Sequence, residues 1–374
     1  MFKKISCVMV ALLILVQTAY ASDNSVSAKA AIVMEAGTGR VLFAQNEHER
    51  LPFASTTKIM TALLALEQPE IDAEFVVDSG AIRVEGSSMG LVEGDTVTLR
   101  TLAVGMLLPS GNDAANAAAV QIAGSIPAFA EKMNSRAAEI GMTNTSFETP
   151  SGLDGEHHYS TAYDLALLAR VALQNADFME ICSSQRMKVN FGNPPHDRWL
   201  SNSNRLLSRY EHTNGMKTGF TRRSGRCLVS TALKDNVQLI VVTLHAHGDW
   251  NIHERLYEQY FGELKAVDVA ENIPDISIPI AGGVLGGITP VFTENMTVTI
   301  PIDSVYELEY SIVVPPFLYA PVKSEQVVGL IGVWLDGEHI ADIDLIAGQD
   351  VELLHPYEPE RESFWRRILR VFER

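Results

Sequence analysis

The sequence predicts an α+β domain in which helices pack on an antiparallel sheet. A small all-β domain and an amphipathic C-terminal helix follow it. Three observations carry this. Apolar, strand-like segments at 30–44 and 227–244 enclose a largely helical middle, which implies one sheet built from two distant parts of the chain. Beyond residue 266 the helical periodicity gives way to short alternating stretches. Residues 356–374 are rich in arginine and aromatic residues, against the acidic trend of the rest.

Taken in order, residues 1–21 read as a secretory signal. Lys3 and Lys4 precede the apolar run Ile5 to Val16, and Ala19-Tyr20-Ala21 fits an A-x-A cleavage pattern. Cys7 leaves with that segment; Cys182 and Cys227 are free to pair outside the cytoplasm, while buried free thiols are the preferred reading. Ala30 to Met34 and Arg40 to Ala44 flank Gly37-Thr38-Gly39 and read as a hairpin. A helix is expected over Thr57 to Glu67, and helical pattern fills Leu99 to Leu173. Gly141 stops one helix, and Thr161 caps the next. Cys227 to Leu233 and Val237 to Leu244 flank the turn Lys234-Asp235-Asn236, and Trp250 to Phe261 is helical.

The expected domains are 22–265 and 266–355, the second a small β-sandwich-like unit with a hairpin at Asp336-Gly337. In 356–374, Phe364, Trp365, Ile368, Leu369 and Phe372 share one helical face, with five arginines largely elsewhere. Such a helix lies on a membrane surface, so residues 359–374 are expected to anchor the protein there. The net charge of −17 over 374 residues argues against nucleic acid as a partner.

The chemistry-bearing stretch is Phe53-Ala54-Ser55-Thr56-Thr57-Lys58. Residues three apart share a helix face, so the Lys58 amine can reach the Ser55 hydroxyl. Serine is a weak nucleophile without a base, and lysine is a base only when its pKa is lowered. Ser110-Gly111-Asn112 and Lys217-Thr218-Gly219 follow in order. S-x-x-K, S-x-N and K-T-G together form the signature of penicillin-binding proteins and class A β-lactamases.

Over nearly its whole length the chain resembles the D-alanyl-D-alanine carboxypeptidases, low-molecular-mass penicillin-binding proteins of the 5 and 6 type. Leu107 to Ala115 and Thr149 to Asp154 resemble that family closely, the second domain loosely. The resemblance implies a β-lactamase/transpeptidase-like fold and removal of the terminal D-alanine from peptidoglycan stem peptides ending in D-Ala-D-Ala. β-Lactams are then covalent inhibitors, no cofactor is needed, and the protein acts at the outer face of the cytoplasmic membrane. It implies Ser55 as nucleophile, Lys58 as base and Ser110 as proton relay. It also implies Asn112, Lys217, Thr218 and Gly219 as cleft residues, with the Ser55 and Phe220 N–H groups as oxyanion donors. Phe220 stands where some members carry histidine. Arg205 is a candidate for the substrate carboxylate. Asp113 reads as a first-turn helix acid.

Two alternatives remain at this point, a serine β-lactamase and a catalytically idle wall- or partner-binding scaffold. The β-lactamase needs a deacylating glutamate on a loop between the second and third motifs; Glu148 and Glu156 lie in that interval, in no recognised context. The histidine clusters His157-His158 and His245-Ala246-His247 lack metal-ligand spacing, so no metal site is expected.

Overall fold

Ala30–Glu35 (β1) is buried along its whole length, as a strand covered on both faces must be. The computed structural model describes residues 25–268, 273–292, 297–303, 308–335 and 337–354. The expected signal segment and the segment 356–374 lie outside the described residues, as does Asp336.

From β1 the chain turns through Gly39 (φ 78°) into β2 (Val41–Gln45), which completes the expected hairpin. A 3₁₀ turn, Ala54–Thr57, runs directly into α1 (Lys58–Leu66), buried throughout. A two-rung ladder of β3 (Phe75–Val76) with β4 (Thr96–Val97) precedes α2 (Leu99–Leu107). Next come α3 (Asn112–Ala123) and α4 (Ile126–Ile140), the latter closed by Gly141 in the left-handed conformation at φ 87°. The expected cap of α5 (Ala162–Ala172) is in place, with the Asp164 N–H donating to Thr161 Oγ1. After α6 (Ala176–Ser183) comes a hairpin that was not among the expected elements, β5 (Arg186–Gly192) with β6 (Pro195–Ser201). In β5, Met187, Val189 and Phe191 alternate with polar residues and are among its less exposed positions, a strand signal that the sequence reading passed over; β6 is mostly polar and solvent-facing.

A short α7 (Leu206–Arg209) leads to β7 (Thr213–Thr221), β8 (Gly225–Lys234) and β9 (Val237–Ala246). The β8–β9 turn places Asp235 and Asn236 at φ 48° and 62°, as the tight hairpin requires. Then α8 (Asp249–Glu263) closes this region. The five strands form one antiparallel sheet in the order β2-β1-β9-β8-β7. Alternation assigns its two faces: Ile32 and Met34 join the large core beneath α1 to α6, and Ala31 and Val33 join the smaller core beneath α8.

Beyond α8 the described chain is β-rich. β10 (Leu264–Asp268), which contains residue 266, pairs with β14 (Thr297–Pro301). The remaining strands are β11 (Ile278–Ala281), β12 (Gly287–Ile288), β13 (Pro290–Phe292), β15 (Leu308–Val313) and β16 (Leu318–Tyr319), then β17 (Val327–Leu335) and β18 (Glu338–Ala347). β17 and β18 form the expected hairpin at 336–337. Ile278, Ile300, Ile331, Val333 and Leu345 centre its separate apolar core.

Candidate active site

The turn Ala54–Thr57 explains why S-x-x-K works here. The expectation was one face of an α-helix; the structure uses a 3₁₀ turn, whose three residues per turn eclipse i and i+3. Lys58 Nζ lies 2.9 Å from Ser55 Oγ. It also reaches the Asn112 Oδ1 at 2.7 Å and the Ser151 carbonyl at 2.6 Å. The Asn112 amide is oriented by its other end, which donates to the Glu85 carbonyl at 2.6 Å. Thus Oδ1, an acceptor, faces the lysine.

Lys58 is wholly buried. Desolvation holds its pKa well below the ordinary lysine value, and Lys217 adds to this by repulsion; Asp113 opposes weakly. The two fixed acceptors, Asn112 Oδ1 and Ser151 O, occupy the two N–H bonds of a neutral amine. Its lone pair is left for the Ser55 hydroxyl proton.

The residue before the serine is strained. Ala54 has φ 49°, a left-handed conformation that costs about 1–2 kcal/mol in a non-glycine residue. Gly152 packs on its carbonyl; a Cβ at Gly152 would sit 2.0 Å from Ala54 O. Only glycine fits there, which accounts for Gly152 within the Thr149–Asp154 stretch.

β7 lies against the same turn from the other side. A Cβ on Gly219 would meet Phe53 O at 2.9 Å and Ser55 N at 3.1 Å. Glycine therefore lets the strand bring the Phe220 backbone close to that of Ser55. β7 is an edge strand, and Phe220 projects outward, 65% exposed. Lys217 is buried, and burial lowers its pKa to about 7. Its Nζ donates to the Thr218 carbonyl at 3.0 Å, while the Thr218 hydroxyl pairs with that of Ser203 at 2.9 Å.

Ser55, Ser110, Thr218, Gly219, Phe220 and Arg205 line one cleft of about 420 Å³. Ser110 stands at φ 68° just before α3. A larger depression of about 730 Å³, between Glu35, Arg170 and Thr299, holds neither a serine nor a lysine. The smaller cleft is the one lined by Ser55, with Lys58 buried beside it. Asp113 is the first-turn acid expected, and its carboxylate also accepts the N–H groups of Met89, Gly90 and Leu91. This pins the loop carrying Glu85 onto α3.

Several cleft-side groups escaped the sequence reading. Arg226 and Trp250 line the cleft, with Arg226 Nε 2.8 Å from the buried Asp249 carboxylate. The Ser151 and Glu85 carbonyls have no side-chain signature at all. His158 read only as half of a pair without metal-ligand spacing, yet it is buried behind the turn. Cys182 and Cys227 are buried free thiols, as expected.

Comparison with known proteins matches this geometry. Residues 17–248 fit the D-alanyl-D-alanine carboxypeptidase family model, and residues 287–353 fit that of the penicillin-binding protein 5 C-terminal domain. The chain is 34% identical over 360 residues to D-alanyl-D-alanine carboxypeptidase DacC of Escherichia coli, covering 90% of this chain and 88% of that one. It is 38% identical over 232 residues to DacF of Bacillus subtilis, covering 60% of this chain but only 59% of that protein's length. Penicillin-binding protein 5 of Haemophilus influenzae superposes with a TM-score of 0.66 at 28% identity, covering 88% of this chain and 98% of that one. With the three motifs gathered into one cleft and both family models matched in chain order, the chain belongs to the D-alanyl-D-alanine carboxypeptidase family of serine peptidases.

Proposed function

We propose that this chain removes the terminal D-alanine from peptidoglycan stem peptides through an acyl-serine intermediate on Ser55. The single observation that carries the reading is the Lys58 amine, buried, 2.9 Å from Ser55 Oγ and otherwise surrounded by acceptors. Neutral Lys58 takes the Ser55 proton as Oγ attacks the penultimate carbonyl. The backbone N–H groups of Ser55 and Phe220 receive the oxyanion. Lys217, Thr218 and Arg205 hold the peptide's free carboxylate, and Asn112 holds its backbone. Ser110 passes a proton to the departing D-alanine. Water then frees the shortened peptide from Ser55, and Lys58 accepts the water's proton.

The same attack on a β-lactam ring leaves a covalent adduct on Ser55. A β-lactamase reading draws no support, because neither Glu148 nor Glu156 lines the cleft. The Glu148 carboxylate instead accepts the His157 N–H at 3.0 Å.

The test is mass spectrometry after penicillin treatment, alongside an assay of D-alanine release from a D-Ala-D-Ala-ended peptide. The wild-type protein gains one adduct, at Ser55, and releases D-alanine; Ser55→Ala does neither. Release by Ser55→Ala at the wild-type rate overturns the assignment.

The sequence of residues 1–21 supports export, and that of 359–374 supports attachment to the outer face of the cytoplasmic membrane. The domain plan then places the peptidase unit at 22–265 and a spacer or partner-binding unit at 266–355.

A further inference from the structure

We propose that His158 is a positioning residue for the nucleophile turn: acting through Thr57, it holds the Ala54 carbonyl, and hence Ser55, where acylation needs it. The inference rests on the reading of Ser55 as nucleophile.

His158 lies in the loop just before α5, outside the three motifs and away from the cleft lining. Its ring is only 3% exposed. Nδ1 accepts the Glu148 N–H at 3.0 Å, so the ring proton sits on Nε2. Nε2 lies 2.8 Å from Thr57 Oγ1 and donates to it. The Thr57 hydroxyl has one proton, and it goes to the Ala54 carbonyl at 2.7 Å. The relay therefore has one direction: Glu148 N–H to imidazole, imidazole to hydroxyl, hydroxyl to Ala54 O.

The same ring also stacks on Phe53, with centroids 4.6 Å apart and planes within 3°. His158 thus grips both residues that precede Ser55, one by its face and one by its edge. The grip falls on the strained point, since Ala54 is the residue at φ 49°. Thr57 is fully buried, so solvent is not at hand to replace a lost partner. Without the relay the turn is free to relax toward an unstrained conformation. That moves Ser55 Oγ relative to Lys58 Nζ and the Ser55 N–H relative to Phe220.

The other buried histidine of this region makes a useful contrast. His253 is held by Ser230 Oγ at 2.7 Å and Thr243 Oγ1 at 2.9 Å, both on the sheet face beneath α8. No atom of the nucleophile turn takes part there.

The experiment compares Thr57→Val, Thr57→Ser and His158→Phe in the full chain. Val keeps the shape of Thr57 without its hydroxyl, and Phe keeps the stacking without the polar edge. The readouts are the second-order rate of penicillin acylation, kcat and KM for D-alanine release, and active-site stoichiometry at long labelling times. Stoichiometry normalises each rate to folded protein. Thr57→Val and His158→Phe should acylate roughly 10- to 100-fold more slowly, with KM changed no more than about twofold. Thr57→Ser should regain most of the rate. The double variant should be no slower than the worse single one, because both break one relay. Wild-type acylation per folded molecule in Thr57→Val, equal slowness in Thr57→Ser, or additive losses in the double variant overturns the proposal. Ser55→Ala is the separate control: labelling of that variant overturns the nucleophile assignment itself.

Discussion

The two regions of this molecule bury different things. Up to α8, the interior holds Lys58, Lys217, Asp113, Asp164, Asp249, His158 and His253 among its apolar residues. Beyond residue 268, Thr299 is the only buried polar side chain among the described residues. Buried polar groups need partners, and the first region provides them at hydrogen-bond distance, as around Lys58 and His158. The second region surrounds an apolar cluster at Ile331 and Val333, with the ion pairs Lys323–Asp350 and His339–Asp342 at the surface. The difference separates roles. Chemistry needs desolvated, strained and charged groups, and these sit where a large core surrounds them.

The regions do touch. The Thr299 hydroxyl donates to Glu35 Oε1 at 3.2 Å, and the Ile302 N–H to the Glu263 carbonyl at 2.8 Å. The Thr299–Glu35 contact lines the larger depression, which does not include Ser55.

Three experiments press on that division, from the largest effect down. Removal of residues 358–374 should release the protein wholly from the membrane fraction while leaving kcat for peptide unchanged. Sedimentation of the truncated protein with membranes, as for the full chain, would remove the anchoring claim. Next, Ile331→Ala, fully buried in the second core, should destabilise that region by about 2–5 kcal/mol in denaturant titration. Its penicillin acylation rate should match that of the wild type; a slowed rate would show that the second region shapes the cleft.

The smallest effect concerns pH. Lys217 binds a carboxylate only when protonated, and burial places its pKa at about 7. As pH rises through that value the free enzyme loses the charge. So kcat/KM for a carboxylate-ended peptide should fall above about pH 7, approaching tenfold per unit. Arginine stays charged throughout, so Lys217→Arg should lose the descending limb whatever its absolute rate. A wild-type profile still flat at about pH 9 would sink this account of the carboxylate site.

Much of the architecture was legible in local pattern. The Gly39 and Asp235-Asn236 turns, the Thr161 cap and the Gly141 stop each rest on the conformational preference of one or two residues. The β5–β6 hairpin was half legible: Met187, Val189 and Phe191 alternate in β5 and went unread, whereas the mostly polar, exposed β6 offers no such pattern. The motif side chains likewise announced themselves by type and spacing. Arg226, whose partner Asp249 is 23 residues away, did not. Neither did His158, whose partner Thr57 is 101 residues away.

Residue identity alone determined the fold class, the reaction family and which serine and lysine would meet, since they stand three positions apart and any helical turn joins them. Tertiary structure decided why the pKa of that lysine is held well below its ordinary value. The Ser151 carbonyl, the Asn112 amide and the bulk that excludes water come from segments 54 to 93 residues away. A backbone carbonyl carries no mark of where it will point. Only the folded chain, with Gly152 and Gly219 admitting close approach on either side, settles which acceptors crowd the amine and where its lone pair is left to act.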